Sequence, residues 1–365
     1  MLPGTHLEGV GRYTFEILNR ICVSHPEHTF YFFFDRKYNE KYVFGPNVVP
    51  VILFPPARHP FLFIFWFEWS VRKALKKIKP DVFLSFDAML SLLADVKSVL
   101  VVHDLAYLHY PGYLPGSALW FYRNFMPRYI QKADKIVAVS GFTANDVQSA
   151  FGVSDEKISV AWNALPAAYN QQKKADSQRP LEAPYFIVPG AISERKNTIN
   201  ILLAFEKFLQ LHPADDIRLV FAGGFMFPLK GEVKKRWTAL KMAGNLIHID
   251  KPDDDQMRQW IAHARALIYV SLFEGFGIPI LEGMAMEVPV ITSNVSSMPE
   301  VAGAAALCVD PLQPEAICSA MEAMRNEETR VSLIQLGKQQ LHKFDWNRSA
   351  DHIYQCLVSV AENKK

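Results

Sequence analysis

Short, unbroken apolar runs alternate along the chain with longer stretches in which apolar residues recur every three or four positions. In the first half the runs are Phe30–Phe34, Val82–Phe86, Ser98–Val102, Ile136–Val139 and Ile158–Ala161. In the second half they are Tyr185–Pro189, Ile217–Ala222, Leu246–Ile249, Ala266–Ser271 and Val288–Thr292. Runs this short, without polar alternation, predict strands buried on both faces. Helical patterns lie between them. In Asn197–Leu211, for example, Ile201, Leu202, Phe205, Phe208 and Leu209 share one stripe. Such alternation predicts parallel sheets covered by helices. The rhythm breaks from Ala164 to Pro184, where the polar QQKKADSQRP core has no periodicity and reads as a linker. The expectation is an α/β protein of two doubly wound domains, about 1–165 and 184–345.

The amino terminus departs from this scheme. An open α/β domain ordinarily begins with a buried strand, yet MLPGTHLEGVGRYT enters a helix near Arg12. Gly9-Val10-Gly11 has the form of a strand-to-helix turn, so the first strand of the amino-terminal domain is expected to be missing from this chain.

Composition narrows the class. Of 365 residues 50% are hydrophobic and 21% charged, which suits two large cores and excludes disorder. Lys and Arg number 39 against 37 acids, so no nucleic-acid partner is expected from overall charge. Cys22, Cys308, Cys318 and Cys356 are too dispersed for a zinc site or a disulfide framework and fit a reducing cytoplasm. No apolar run approaches the roughly 20 residues needed to span a bilayer, and Met1–Gly9 lacks a signal-peptide pattern. These features suit a cytoplasmic enzyme.

The densest chemical signal is SLFEGFGIPILEGMAMEVPVIT, residues 271–292. A strand ends near Ser271, and Pro279 suits the first turn of a helix. Gly275 and Gly277 let the loop turn sharply and bring its backbone, at Phe276, Gly277 and Ile278, close to a ligand. The helix N-terminus then offers unpaired N–H groups and partial positive charge at the carboxyl edge of a sheet, where α/β proteins bind ligands. Glu274 lies in the loop. Glu282 lies about one turn into the helix, where a carboxylate can accept two hydrogen bonds from a vicinal diol such as a ribose. Arg195 and Lys196 follow the strand Tyr185–Pro189 and can neutralise a pyrophosphate, the lysine as a point charge and the arginine as a fork. His103 and Asp104 end the strand Ser98–Val102. Asp253–Asp255 reads as a cap for the helix Gln256–Ala264 rather than as a metal site.

His59–Pro80 places a mostly aromatic stretch before five lysines and arginines. Because Phe61–Trp69 is apolar on every side, the pattern favours a buried helix with a solvated basic tail. The other reading is a peripheral helix meeting an anionic bilayer.

The Glu-x7-Glu spacing from Glu274 to Glu282, within EGFGIPILEGMA, resembles the signature of family 4 glycosyltransferases. SNVSSMPEVAGAAALCVDP continues the likeness downstream, and PGAISERKNTINILLAF, VVHDLAYLHYP and ADKIVAVSGFTANDV continue it upstream. The resemblance implies a GT-B fold, two Rossmann-like domains facing across a cleft. It also implies retaining transfer of a sugar from a nucleotide sugar to an acceptor hydroxyl, without a metal or other cofactor. Lys196 then contacts the donor diphosphate. Ala191 follows Gly190 where many members carry arginine, so that duty passes to Arg195. Glu282 holds the ribose, Glu274 and His103 act at the transferred sugar, and Gly9 belongs to the amino-terminal glycine loop near the donor phosphate. The final helix, 346–365, is implied to cross back and complete the first domain.

The PGAISERKN variant resembles bacterial transferases of surface-polysaccharide assembly. It favours GDP-mannose over UDP sugars and a saccharide or lipid-linked saccharide acceptor, with peripheral contact at the inner face of the cell membrane. The alternatives are a nucleotide-sugar epimerase of the same architecture and a non-catalytic nucleotide-sugar-binding protein.

Overall fold

The computed structural model describes residues 9–57, 59–170 and 179–362. The segment ahead of Gly9 and the middle of the expected linker, 171–178, lie outside the described residues. The chain divides into two compact units, Met1–Asn163 with Asp345–Lys365, and Ala164–Phe344.

The second unit is a six-stranded parallel sheet: β7 (Tyr185–Pro189), β8 (Arg218–Ala222), β9 (Leu246–Ile249), β10 (Ala266–Tyr269), β11 (Val290–Ser293) and β12 (Ala306–Val309). Their order in space is β12-β11-β10-β7-β8-β9. The chain begins at the centre with β7, runs outward through β8 and β9, then returns to the other side of β7 with β10. Strand order reverses between β7 and β10, where the helices on either side diverge and open a crevice. Every residue of β7 and β10 is buried. The helix Thr198–Leu211 seals the sheet with Ile201, Leu202, Phe205 and Phe208, all fully buried, and Phe208 meets Phe186 of β7 edge to face at 5.6 Å. Each such side chain contributes roughly 1.5–3 kcal/mol on burial.

The first unit holds a two-stranded parallel sheet, β1 (Phe30–Phe34) with β2 (Val48–Ile52). Its second sheet has four strands in the order β3-β4-β5-β6: β3 (Phe83–Ser85), β4 (Ser98–Val102), β5 (Lys135–Ala138) and β6 (Ile158–Val160). Among the described residues no strand joins the two sheets. β1 therefore pairs on one side only and is half-buried rather than buried on both faces. By contrast, β4 is buried throughout.

The helix Trp346–Glu362 belongs to this first unit. Asp345 caps it, accepting from the backbone N–H groups of Asn347 (2.7 Å) and Arg348 (3.0 Å). Trp346 packs on Tyr13 with ring centroids 5.6 Å apart, and Ser349 Oγ donates to the Trp162 carbonyl at 2.7 Å.

One expectation fails. Residues 60–78 form one continuous helical run, Pro60–Phe65, a π-helical turn Trp66–Val71, and Arg72–Ile78. Trp66 and Phe67 are buried as expected, but Phe61, Phe65 and Trp69 are exposed. A helix resting on one side of a sheet can bury only one face, however apolar the others are.

Candidate active site

The carboxyl ends of β7 and β10 bring the chemistry together. Gly190 (φ 98) follows β7, and Gly223, after β8, lies so close that a Cβ on it would stand 2.0 Å from the Gly190 carbonyl oxygen. The approach leaves no room for a side chain at 223, while Gly190 is favoured by its positive φ. The loop from Gly190 leads to Arg195 and Lys196 and is locked by Asn197. Asn197 is fully buried at φ 63, a conformation asparagine tolerates better than most residues, and its Nδ2 donates to the carbonyls of Val270 (3.0 Å) and Pro311 (2.6 Å). One side chain thus ties the Lys196 loop to the ends of β10 and β12.

Across the crevice edge, the loop after β10 presents Glu274. Lys196 Nζ lies 2.7 Å from Glu274 Oε1, and Arg195 Nη1 lies 3.0 Å from Oε2. Arg195 Nη1 also donates to the Phe273 carbonyl at 2.6 Å, and Lys196 Nζ donates to the Tyr269 hydroxyl at 2.7 Å. Ser297 Oγ lies 2.8 Å from the carbonyl oxygens of both Glu274 and Phe276, which share its one hydroxyl proton, and Ser296 Oγ accepts from the Glu274 N–H at 3.2 Å. Burial by itself raises the pKa of Glu274. The Lys196 and Arg195 charges, with hydrogen bonds from Lys196 and Ser271, outweigh burial and hold the carboxyl below its ordinary range. Burial and the neighbouring Glu274 push the Tyr269 phenol well above its ordinary value, so it remains neutral. The result is a buried, pre-formed charge cluster at the switch point.

Gly277, at φ 109, starts the helix Ile278–Ala285. Glu282 is half-buried on that helix and close enough to Tyr269 to raise its pKa further. Phe276 is buried and packs its ring edge-on against Phe344 at 5.5 Å, so its side chain belongs to the core. Gly190, Lys196, Thr198, Tyr269 and Ser271 line a small pocket at this edge. Asp253 forms a capping box with Gln256, and Asp255 pairs with Arg258, which bears out the cap reading. Among the described residues no group of three or more His, Cys, Asp or Glu side chains is arranged to hold a metal ion.

The first unit carries the other two sequence candidates. Gly9 opens the helix Gly9–Ser24 at φ 44. That helix carries Tyr13, whose ring meets the His103 imidazole edge to face at 5.2 Å. His103 Nε2 lies 3.1 Å from the Phe86 carbonyl, and since a carbonyl only accepts, Nε2 carries the proton and Nδ1 has its lone pair available. Burial depresses the imidazole pKa to about 4, so it is neutral at physiological pH. Burial next to this site also pushes Asp87 up to about 7.

Eight of the ten candidates, Gly190, Arg195, Lys196, Glu274, Phe276, Gly277, Ile278 and Glu282, thus fall in the second unit, around one sheet edge. Sequence reasoning missed Tyr269, Asn197, Gly223 and Ser297. Only the Asn of the Lys-Asn pair and the Gly-Gly after β8 left any trace in the pattern.

Fold and site define the class: a two-unit parallel α/β protein with a cluster of two cations and one carboxylate at the switch point of its six-stranded sheet. Residues 170–340 match the family described as glycosyl transferases group 1, and residues 7–168 match glycosyltransferase family 4. The O-antigen chain mannosyltransferase B of Escherichia coli is 26% identical over 68% of this chain and 67% of that protein. The O-antigen chain mannosyltransferase RfbU of Salmonella typhimurium is 26% identical over 58% of this chain and 56% of that protein. The crystal structure of WaaG, a glycosyltransferase involved in lipopolysaccharide biosynthesis, superposes with a TM-score of 0.73 at 14% identity, covering 98% of both chains. That likeness shows the GT-B fold. The chain belongs to the family 4 glycosyltransferases.

Proposed function

We propose that this glycosyltransferase moves a mannosyl group, with retention, from GDP-mannose to a hydroxyl of a lipid-linked saccharide during surface-polysaccharide assembly. The observation that carries the reading is the Arg195–Lys196–Glu274 cluster at the β7–β10 switch point. Two cations and the N-terminus of the Ile278–Ala285 helix supply the positive charge that a departing diphosphate needs. Glu282 takes the ribose hydroxyls. The mannosyl donor is supported by the names of the mannosyltransferase relatives.

In the reaction, the bond between the sugar's anomeric carbon and the diphosphate oxygen breaks, and its electron pair leaves with the phosphate. The acceptor oxygen bonds to the same face of that carbon, and its proton passes to the leaving phosphate. Glu274, ionised and buried, supports the positive charge that builds on the sugar ring. The first unit takes the acceptor, with neutral His103 as a hydrogen-bonding group. No metal is required, because fixed cations and a helix dipole stand where a metal would otherwise act.

Incubation with GDP-mannose and with UDP sugars, each with and without a lipid-linked oligosaccharide and excess chelator, tests this. Acceptor-dependent release of GDP that survives the chelator is expected. An isomerised donor would indicate an epimerase, binding without turnover a non-catalytic protein, and restoration only by a divalent cation a metal enzyme. Glu282→Ala should weaken GDP binding in calorimetry by about 1.5–3 kcal/mol, since bonds to a charged group are lost.

A further inference from the structure

The helical run 60–78 of the first unit turns three aromatic side chains to solvent at intervals of one turn: Phe61 at 60% exposure, Phe65 at 45% and Trp69 at 58%. A π turn takes more residues per revolution than an α turn, so the segment Trp66–Val71 keeps Trp69 in line with Phe61 and Phe65 instead of letting it drift around the helix. Phe65 and Trp69 touch at 5.2 Å. Phe61 meets Trp120 of the helix Gly116–Lys132, itself 45% exposed, at 5.7 Å. Leu62 widens the patch. Large aromatic side chains left bare and touching one another make an apolar surface of a kind that isolated exposed residues do not.

The exposed charges on the two helices that carry these rings have one sign. Arg72, Lys73, Lys76, Lys77 and Lys79 continue the same run and are exposed, with Lys73 Nζ 5.7 Å from the Trp69 ring centre. Arg123 and Arg128 are exposed on the Gly116–Lys132 helix, which contains no acidic residue. The only carboxylate within 59–80, Glu68, turns inward: it accepts from Ser91 Oγ (2.9 Å) and from the N–H groups of Leu92 (2.7 Å) and Leu93 (3.0 Å). Glu68 is thus held by the loop 91–93 and adds no carboxylate to the exposed apolar and cationic face of the run.

We infer that this face is a membrane-docking surface, in which Phe61, Phe65, Trp69 and Trp120 enter the headgroup region of an anionic bilayer and the flanking lysines and arginines bind its lipid phosphates. Aromatic rings with a basic rim match an interface that is apolar below and anionic above, and each cation near such a surface strengthens binding roughly fivefold. An apolar protein groove would cover the rings without matching the seven cations, whereas an anionic bilayer offers an apolar layer and a dense anionic surface together. The inference gives a place to the lipid-linked acceptor of the proposed function and so rests on that reading for its biological sense, but the surface is read from the first unit alone.

Co-sedimentation of the full chain with vesicles tests it. Vesicles of phosphatidylglycerol and phosphatidylethanolamine should bind the protein at least tenfold better than phosphatidylcholine vesicles, and high salt should weaken that binding. The triple variant Phe61→Ser, Phe65→Ser, Trp69→Ser and, separately, Lys73→Gln, Lys76→Gln, Lys77→Gln should each lose at least tenfold, with unchanged circular dichroism because all six side chains are exposed. Equal binding to both vesicle types, or undiminished binding by either variant, overturns the inference. So does a wild-type dimer in ultracentrifugation that the aromatic variant converts to monomer, since the face would then join two copies. Calorimetry with GDP on the same samples separates this surface from the donor reading. Lost vesicle binding with intact GDP binding concerns only the surface; absent GDP binding with intact vesicle binding concerns only the transferase site.

Discussion

Lys196 and Glu274, from opposite sides of the β7–β10 switch point, form a buried ion pair at 2.7 Å. The cation assigned to the donor diphosphate and the carboxylate assigned to the transferred sugar are therefore one electrostatic unit before any ligand arrives. Arg195 shares the carboxylate, and Tyr269 shares the ammonium.

Replacement of Glu274 by Gln keeps the shape and removes the charge that neutralises Lys196 and Arg195. Both cations then meet a diphosphate without competition. GDP should bind several-fold tighter while kcat falls by about 10²–10³, the scale for losing one preorganised electrostatic group. Calorimetry and steady-state kinetics on the one variant check both halves. Weaker GDP binding would mean that Glu274 assists the diphosphate site instead of competing with it.

Tyr269→Phe preserves the ring against Gly277 and deletes only the hydroxyl that receives the Lys196 N–H. Removing one such bond should cost about 0.5–1.5 kcal/mol of donor binding, roughly two- to tenfold in Kd. If the hydroxyl acts by positioning Lys196, the same substitution should cost nothing further in a Lys196→Met background, which a double-mutant cycle measures.

His103 gives a pH prediction with a definite sign. Its folded pKa, about 4, lies below the ordinary 6.5 because of burial. Between those values the unfolded chain binds a proton that the folded chain refuses. The contribution of this group to stability is therefore complete above pH 6.5 and declines as pH falls toward 4. NMR titration of the imidazole should show a midpoint at least a full unit below 6.5. A midpoint at 6.5 or above would mean that the imidazole is solvated and that its bond to Phe86 does not hold it neutral.

Trp346 is 5% exposed and packs on Tyr13, whose hydroxyl donates to the Ala161 carbonyl at 2.9 Å. Trp346→Ala should destabilise the first unit by about 3–5 kcal/mol and leave the core around Phe205 and Phe208 untouched. Scanning calorimetry should then resolve an early transition from a later one. A single transition at the wild-type temperature would mean that the last helix does not support the first unit.

The sequence alone determined what local periodicity controls. β1, β4, β7 and β9 begin and end where their apolar runs do. For β4 and β7, buried along their whole length, the reason is that a strand covered on both faces must be apolar throughout. β1 and β9 are half-buried edge strands marked by the same runs. β2 escaped notice because Pro50 interrupts VVPVI. Its pairing with β1 alone explains why that proline is tolerated, since proline cannot donate on a second edge. β12, four residues long at the sheet edge with one exposed position, was too short and too mixed to stand out. The Glu-x7-Glu spacing and the Lys-Asn pair marked the functional loops by chemistry that is local in the chain.

Tertiary structure decided which of these loops meet. Nothing in residues 195–197 or 269–274 states that they are neighbours. They meet because the chain starts its six-stranded sheet in the middle and returns past β7 with β10, and that return makes Tyr269 a partner of Lys196. It likewise decided which side of an all-apolar helix stays bare: Trp66 and Phe67 are covered, whereas Phe61, Phe65 and Trp69 are not. Hydrophobicity is a property of each residue, but burial depends on what the rest of the chain places opposite it.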